Sequence, residues 1–296
     1  MRRLTPRDRH AWALLLPLLV IIAVVTGYPL LNTFRLSFTD ASLTGRRAAE
    51  HWVGLENYAY VFTDPDFGAA FGRTLYFTFT SVAAEILLGV LVALLLNREF
   101  VGRPLVRALL VLPWALPTIV NAMMWRLIYS PDYGSLNALL TELGLIDAYR
   151  SWLGVPGLAM NMVVLADVWK NYPLVALIVL AALQTIPREH YEAADIDGAG
   201  PWLKFWNVTF PAILGPLTVA LILRMIEAFK VFDIIYVMTR GGPADSTKTV
   251  SFFVYQESFA YLRAGSGASY AVTVTLTSAA MIAVYIILLR RRESAA

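Results

Sequence analysis

Six stretches of this chain are predominantly apolar over about 20 residues or more, the length an α-helix needs to cross the hydrocarbon core of a bilayer. They cover residues 11–31, 74–96, 105–127, 158–183, 212–238 and 269–289. The pattern predicts an all-α, polytopic membrane protein with six spanning helices. The first stretch follows Arg2, Arg3, Arg7 and Arg9, as the apolar core of a signal peptide would. It is too long for that role and no small-x-small cleavage site follows it, so it reads as a retained span.

Composition strengthens this picture. Of 296 residues, 58% are hydrophobic and 15% charged, against about 45–50% and about 25% in soluble domains. One buried core of this size cannot absorb so much apolar surface, so lipid must cover much of it. No internal repeat, low-complexity tract or Pro/Gly-rich linker interrupts the chain. Residues 1–296 read as one membrane domain.

The basic residues orient it. The amino terminus (Arg2, Arg3, Arg7, Arg9), the link at Arg98, Arg103 and Arg107, the link at Arg188 and Lys204, and the tail (Arg290, Arg291, Arg292) hold about a dozen in about 55 residues. The alternate segments hold about eight in about 100, among them Arg35, Arg46, Arg47 and Arg263. Lys and Arg concentrate on the cytoplasmic side, which predicts both termini in the cytoplasm. The same bias accounts for the net charge of +3, so no nucleic-acid partner is implied.

Catalytic patterns are missing. With no cysteine, disulfides, thiolate metal sites and cysteine nucleophiles are excluded. The three histidines, His10, His51 and His190, lie outside the spans and share no metal-ligand spacing. No H-E-x-x-H, no G-x-S-x-G and no Walker A pattern occurs. If the protein uses ATP, another chain must bind it together with its Mg, and no cofactor is expected on this one.

The link between the fourth and fifth stretches, about 186–211, is the most informative. Pro187 suits the start of a helix, and Glu189 and Glu192 fall in its first turns, where the helix dipole favours acids. Ala193 and Ala194 are strong helix formers, and Gly198 and Gly200 can end the helix. Pro201-Trp202-Leu203-Lys204 then begins a second short helix, and Pro211 is expected to re-enter the membrane. An ordinary inter-span loop is the plain alternative.

Glu192-Ala193-Ala194, three residues, Gly198, nine residues and Val208-Thr209-Phe210-Pro211 resemble the EAA loop of ABC-importer permeases, E-A-A-x3-G-x9-I-x-L-P. Val208 and Phe210 replace Ile and Leu. Leu112-Pro113-Trp114, Val168-Trp169-Lys170, Phe229-Lys230-Val231-Phe232-Asp233 and Thr239-Arg240-Gly241-Gly242-Pro243 resemble, in the same order, the binding-protein-dependent sugar permeases, close to the maltose-family "F-like" or "A-like" subunits. The resemblance covers nearly the whole chain. It implies a type I ABC-importer permease of a bacterial plasma membrane, without catalytic activity, pairing with a second permease, two cytoplasmic ATPase subunits and an extracytoplasmic solute-binding protein. It also implies that Glu192, Ala193, Ala194, Asp197 and Gly198 dock on the ATPase as a cytoplasmic coupling helix. The carbohydrate would be a di- or oligosaccharide such as trehalose or maltose, or a sugar phosphate.

Eight ionisable residues fall inside the apolar stretches: Glu85, Arg126, Asp167, Lys170, Arg224, Glu227, Lys230 and Asp233. A charge facing lipid costs about 2.5–3.5 kcal/mol on insertion scales, so these side chains must face the bundle interior or water. Arg126 is near the outer end of its stretch and can snorkel. Asp167, Lys170 and Asn171 form one helical stripe, and Arg224 and Glu227 a second. Both lie near mid-span, where transporter sites tend to be. Trp125, Trp169, Tyr172 and Phe229 could offer flat faces to a sugar, although aromatics in spans more often pack. Asp233 falls on the face opposite Arg224 and is expected to be structural, and Glu227 and Lys230 could neutralise each other. Two readings stay open: a substrate pathway, or an ion-pair network that only locks the helices together. An ion-coupled secondary transporter using Glu85, Asp167 or Glu227 is the rival function.

Overall fold

A computed structural model describes residues 6–44 and 50–293, without the side chains of 6–11, 13, 285, 286 and 288–293. Arg2, Arg3, Arg7, Arg9, Arg46, Arg47, Arg290, Arg291 and Arg292, which carried much of the orientation argument, lie outside the described side chains. The described chain is almost wholly helical. In order it forms α1 (Pro6–Ile22), a π turn (Ala23–Gly27), α2 (Tyr28–Leu36), α3 (Glu56–Thr63), α4 (Pro65–Asn97), α5 (Arg103–Ala115), α6 (Thr118–Ile128) and α7 (Ser135–Glu142). Then come α8 (Pro156–Leu183), α9 (Arg188–Ile196), α10 (Pro201–Lys204), a π turn (Phe205–Thr209), α11 (Phe210–Phe229), α12 (Asp233–Met238), α13 (Val250–Tyr255), a π turn (Gln256–Ala260) and α14 (Ala264–Glu293).

Among the described residues, five helical stretches are long and apolar enough to cross a membrane: Leu14–Leu36, Pro65–Asn97, Pro156–Leu183, Pro201–Phe229 and Ala264–Val284. The pair α5 and α6 makes a sixth span if the two are counted together, but they meet at a bend of 96°. The all-α, multi-span expectation holds. The third expected span, 105–127, is this bent pair and not one continuous helix. Leu116, immediately before Pro117, is extended at φ −69°, ψ 136°, because the proline ring disfavours helical backbone in the residue preceding it.

The fifth expected span, 212–238, is also redrawn. The helix starts earlier, at Pro201, and runs through the π turn to Phe229 without leaving helical geometry. Pro211 therefore sits inside a continuous helix rather than at a re-entry point; it cannot donate to the turn before it, and the wider π turn ends two residues ahead of it, at Thr209. At the other end the helix stops at Phe229. The Val231 carbonyl accepts a hydrogen bond from the Thr249 hydroxyl at 3.1 Å, and Phe232 leaves helical geometry at φ −138°, ψ −58°. A new helix, α12, starts at Asp233.

The chain divides into two compact units. One comprises residues 1–68 and 253–277. In it, none of the Leu14–Leu36 hydropathic window is buried, as expected for a lipid-facing helix. The loop after α2 is tied down by Asn57, whose Nδ2 donates to the carbonyls of Ser37 (3.0 Å) and Thr39 (2.8 Å). Phe38 stacks on Trp52 at 5.2 Å. Phe67, Phe253 and Tyr270 form an aromatic knot with centroids 4.8–5.6 Å apart, and the Tyr270 hydroxyl donates to Asp64. The backbone and ring N–H groups of His51 hold the Asp40 carboxyl below its usual range.

The other unit comprises residues 69–252 and 278–296. One core gathers Phe77, Tyr129, Val163, Ala166, Ile234 and Ile235. A second gathers Ala93, Leu96, Val175, Val179, Leu180 and Ile213. At Gly89, α4 meets α8 so closely that an added Cβ would lie 2.6 Å from Cβ of Val175. Real Cβ atoms do not approach that near, so the missing side chain is what lets the helices touch.

Candidate functional site

The two predicted stripes converge. Asp167, Lys170 and Asn171 from α8 and Arg224 and Glu227 from α11 line one cavity of about 280 Å³. Trp114 and Thr118, on either side of the α5–α6 bend, close another part of its wall. The α8 residues share a face because they are three and four positions apart. Asn171 Nδ2 donates to Asp167 Oδ1 at 3.0 Å.

Arg224 is the centre of the cluster and is almost wholly buried, with 3% of its side chain exposed. Its Nε donates to Glu85 Oε2 at 2.5 Å and its Nη2 to Glu85 Oε1 at 3.0 Å. Nη2 also reaches Asp167 Oδ2 at 3.4 Å, and Nη1 donates to Glu227. Three helices, α4, α8 and α11, are thereby tied through one guanidinium. A buried charge is tolerable only when it is paired and hydrogen-bonded, and this one is. The ion-pair network and the cavity wall, set against each other as alternatives on sequence grounds, are one arrangement.

Two expectations fail here. Asp233 does not face away from Arg224: it lines the same cavity and is exposed. Helical spacing does not carry from Arg224 to Asp233, because the helix is broken at residues 230–232. Glu227 does not pair with Lys230 but with Arg224, one turn back, because Lys230 lies beyond the last helical residue. Lys170 and Lys230 both line the cavity. Glu85 was not among the expected pathway residues. The available signal was its isolation, since a lone carboxylate in an apolar helix needs a cation from another helix.

The aromatic residues mostly pack. Trp125 meets Trp169 edge-on at 5.8 Å and Tyr129 at 5.2 Å, and Phe229 is buried against Phe71. Arg126 is exposed and reaches the Val237 carbonyl at 3.4 Å. It borders a separate cleft of about 660 Å³ with Tyr129, Ser130 and Tyr133.

The elbow at the other end of α11 has a different construction. Pro187 caps α9 in extended conformation, one position earlier than expected. At the far end, Gly198 takes φ +73°, its N–H donates to the Asp195 carbonyl (3.0 Å), and the Ala199 N–H to that of Ala194 (2.8 Å). This is a Schellman closure, which needs a left-handed residue and explains the glycine. Lys204 of α10 pairs with Asp195 of α9, and the Tyr191 hydroxyl bonds that of Thr209 at 3.0 Å. Glu192, Ala193, Asp197 and Gly198 are exposed and Ala194 is partly so. A groove of about 480 Å³ runs beside them, lined by Ile186, His190, Ala193 and Val208 among others.

Residues 85–294 match the model of the binding-protein-dependent transport system inner membrane component family. The chain belongs to this family. As an inner membrane component it is a multi-pass, non-catalytic permease of the ABC-transporter class. It is 41% identical over 245 residues to the trehalose/maltose transport system permease protein MalF of Thermococcus litoralis, covering 82% of this chain and 81% of that one. It is 36% identical over 280 residues to the sulfoquinovosyl glycerol transport system permease protein SmoG of Agrobacterium fabrum, covering 95% and 90%. In fold it matches a chain of a bacterial ABC transporter that imports the acidic polysaccharide alginate, with a TM-score of 0.83, 21% identity and 96% of each chain covered. The type I permease fold of this inner membrane component thus holds over nearly its whole length.

Proposed function

We propose that this chain is one of two permease subunits of an ATP-driven sugar importer, and that Asp167, Lys170, Asn171, Arg224 and Glu227 form part of its translocation pathway. The supporting observation is the cavity itself, where carboxylates, an amide and ammonium groups converge between the middle of α8 and the end of α11. That mixture suits hydroxyl groups, which donate and accept at once. The relatives named above are sugar permeases, which favours a saccharide such as trehalose or maltose, or a sugar carrying an acidic group.

In this reading a second permease completes the pathway and a solute-binding protein delivers the sugar from outside. Two ATPase subunits bind ATP and Mg and dock on Glu192, Ala193, Ala194, Asp197 and Gly198, with both termini of this chain on their side of the membrane. Drawing the two elbows together would rock the spans outward, and hydrolysis would reset them. The test is uptake of radiolabelled trehalose and maltose into proteoliposomes holding the whole complex. Uptake should require ATP and the ATPase subunits. Uptake by this chain alone, driven by an ion gradient, would overturn the assignment.

A further inference from the structure

Arg224 makes four hydrogen bonds, all to carboxylates. Two of them, through Nε and Nη2, go to the two oxygens of Glu85 in a fork. Glu85 is fully buried and does not line the cavity. The Glu227 side chain is 60% exposed and that of Asp167 9%. Only one face of the guanidinium is therefore turned toward the cavity, and both of its contacts there are carboxylates of the wall.

We propose that Glu85 is a positioning residue: it clamps Arg224 from behind, so that the guanidinium holds Asp167 and Glu227 as a fixed pair of acceptors on the cavity wall and does not itself enter the cavity. The bidentate geometry fixes the plane of the fork as well as its distance. Without Glu85, two N–H groups of Arg224 would be left buried and unpartnered. A long side chain can relieve that only by swinging toward the open side, where water or a ligand can reach it. Arg224 then acts on the pathway through the two carboxylates it holds. The inference rests on the pathway reading for its functional meaning, but the clamp can be tested without knowing the substrate.

The experiment uses the complete detergent-solubilised complex and a small arginine-specific dicarbonyl, phenylglyoxal, with modification of the Arg224 peptide followed by mass spectrometry. Exposed Arg126 serves as the internal standard. Arg224 should be protected in the wild type. In Glu85→Gln, which loses the charge of the fork, modification should be about tenfold faster or more, with Arg126 unchanged. Glu85→Asp keeps the charge with a shorter reach and should lie between the two; it carries the test alone if Glu85→Gln does not assemble. A residue that merely glued the helices would lower yield and leave Arg224 as protected as before, because Asp167 and Glu227 would still hold it. Unchanged protection in an assembled Glu85 variant, or a reactive Arg224 in the wild type, overturns the clamp. If reactivity rises as stated while Asp167→Asn and Asn171→Ala leave uptake untouched, the clamp stands and the pathway reading falls.

Discussion

The helix that starts at Pro201 and ends at Phe229 carries the elbow near one end and the charged cavity near the other. In the cavity, Arg224, Glu85 and Asp167 are removed from water and satisfy one another across three helices. At the elbow, Glu192 and Asp197 stand in the open, and α9 is closed by its own backbone at Gly198. The first arrangement makes the fold depend on the charges. The second leaves Glu192 and Asp197 exposed and does not rest the fold on them. A substitution should thus be read first by where its cost falls, on the assembled chain or on coupling.

The largest cost to the fold is expected at Arg224. Arg224→Ala leaves Glu85 and Asp167 uncompensated, and removing one partner of a buried ion pair costs about 3–5 kcal/mol. Assembled complex should fall sharply in size-exclusion yield and in thermal unfolding. A normal melt would mean that the cluster is not holding the helices.

Next comes Gly89→Val, which drives a side chain into Val175. Overpacking of this kind costs about 1–3 kcal/mol, and Val175→Ala should restore part of it in a double-mutant cycle. Additive losses would argue against direct contact of α4 and α8.

Asn171→Ala removes one hydrogen bond to Asp167, a loss of about 1 kcal/mol. Yield should stay near normal while uptake weakens across several sugar concentrations. Asp233→Ala is expected to be milder still for the fold, within about 0.5 kcal/mol, since its carboxylate faces the cavity. Uptake should drop before yield does. The reverse order would return Asp233 to a packing role.

The smallest effect on the fold, and the largest on coupling, belongs to Glu192→Lys. Stability of the membrane subunit should be unchanged within about 0.5 kcal/mol, yet sugar-stimulated ATP hydrolysis should be lost. Stimulation at the wild-type level in an assembled mutant complex would remove the elbow from the coupling role.

Sequence patterns made some of this arrangement visible and hid the rest for identifiable reasons. Long apolar runs gave the helices because lipid-facing segments must be apolar along their whole length. The stripes at Asp167, Lys170, Asn171, Arg224 and Glu227 were readable because helical periodicity holds inside α8 and α11. It fails where the helix stops, so Asp233 was assigned to the wrong face. Breaks themselves are hard to see in apolar sequence: Pro117 is a signal, but at the end of α11 the Val231 carbonyl is satisfied by the hydroxyl of Thr249, 18 residues on. The Glu85–Arg224 pair spans 139 residues, and no local spacing could have matched them. The elbow was legible through both its local chemistry and its resemblance to a known loop.

The bend between α5 and α6 bears on how the chain is made. At about 1.5 Å per residue, the 13 residues of α5 and the 11 of α6 reach about 20 and 16 Å, each short of a bilayer core of about 30 Å. Neither half is a spanning unit by itself, so the pair must enter the membrane together. Ala122 of α6 is packed in one core with Ile234, Ile235 and Met238 of α12, and Arg126 reaches back to Val237. These partners leave the ribosome more than a hundred residues after α6. The contacts of α6 with α12 can therefore form only once most of the protein has been synthesised, which makes them a late step in biogenesis and leaves a chain truncated before α12 without them.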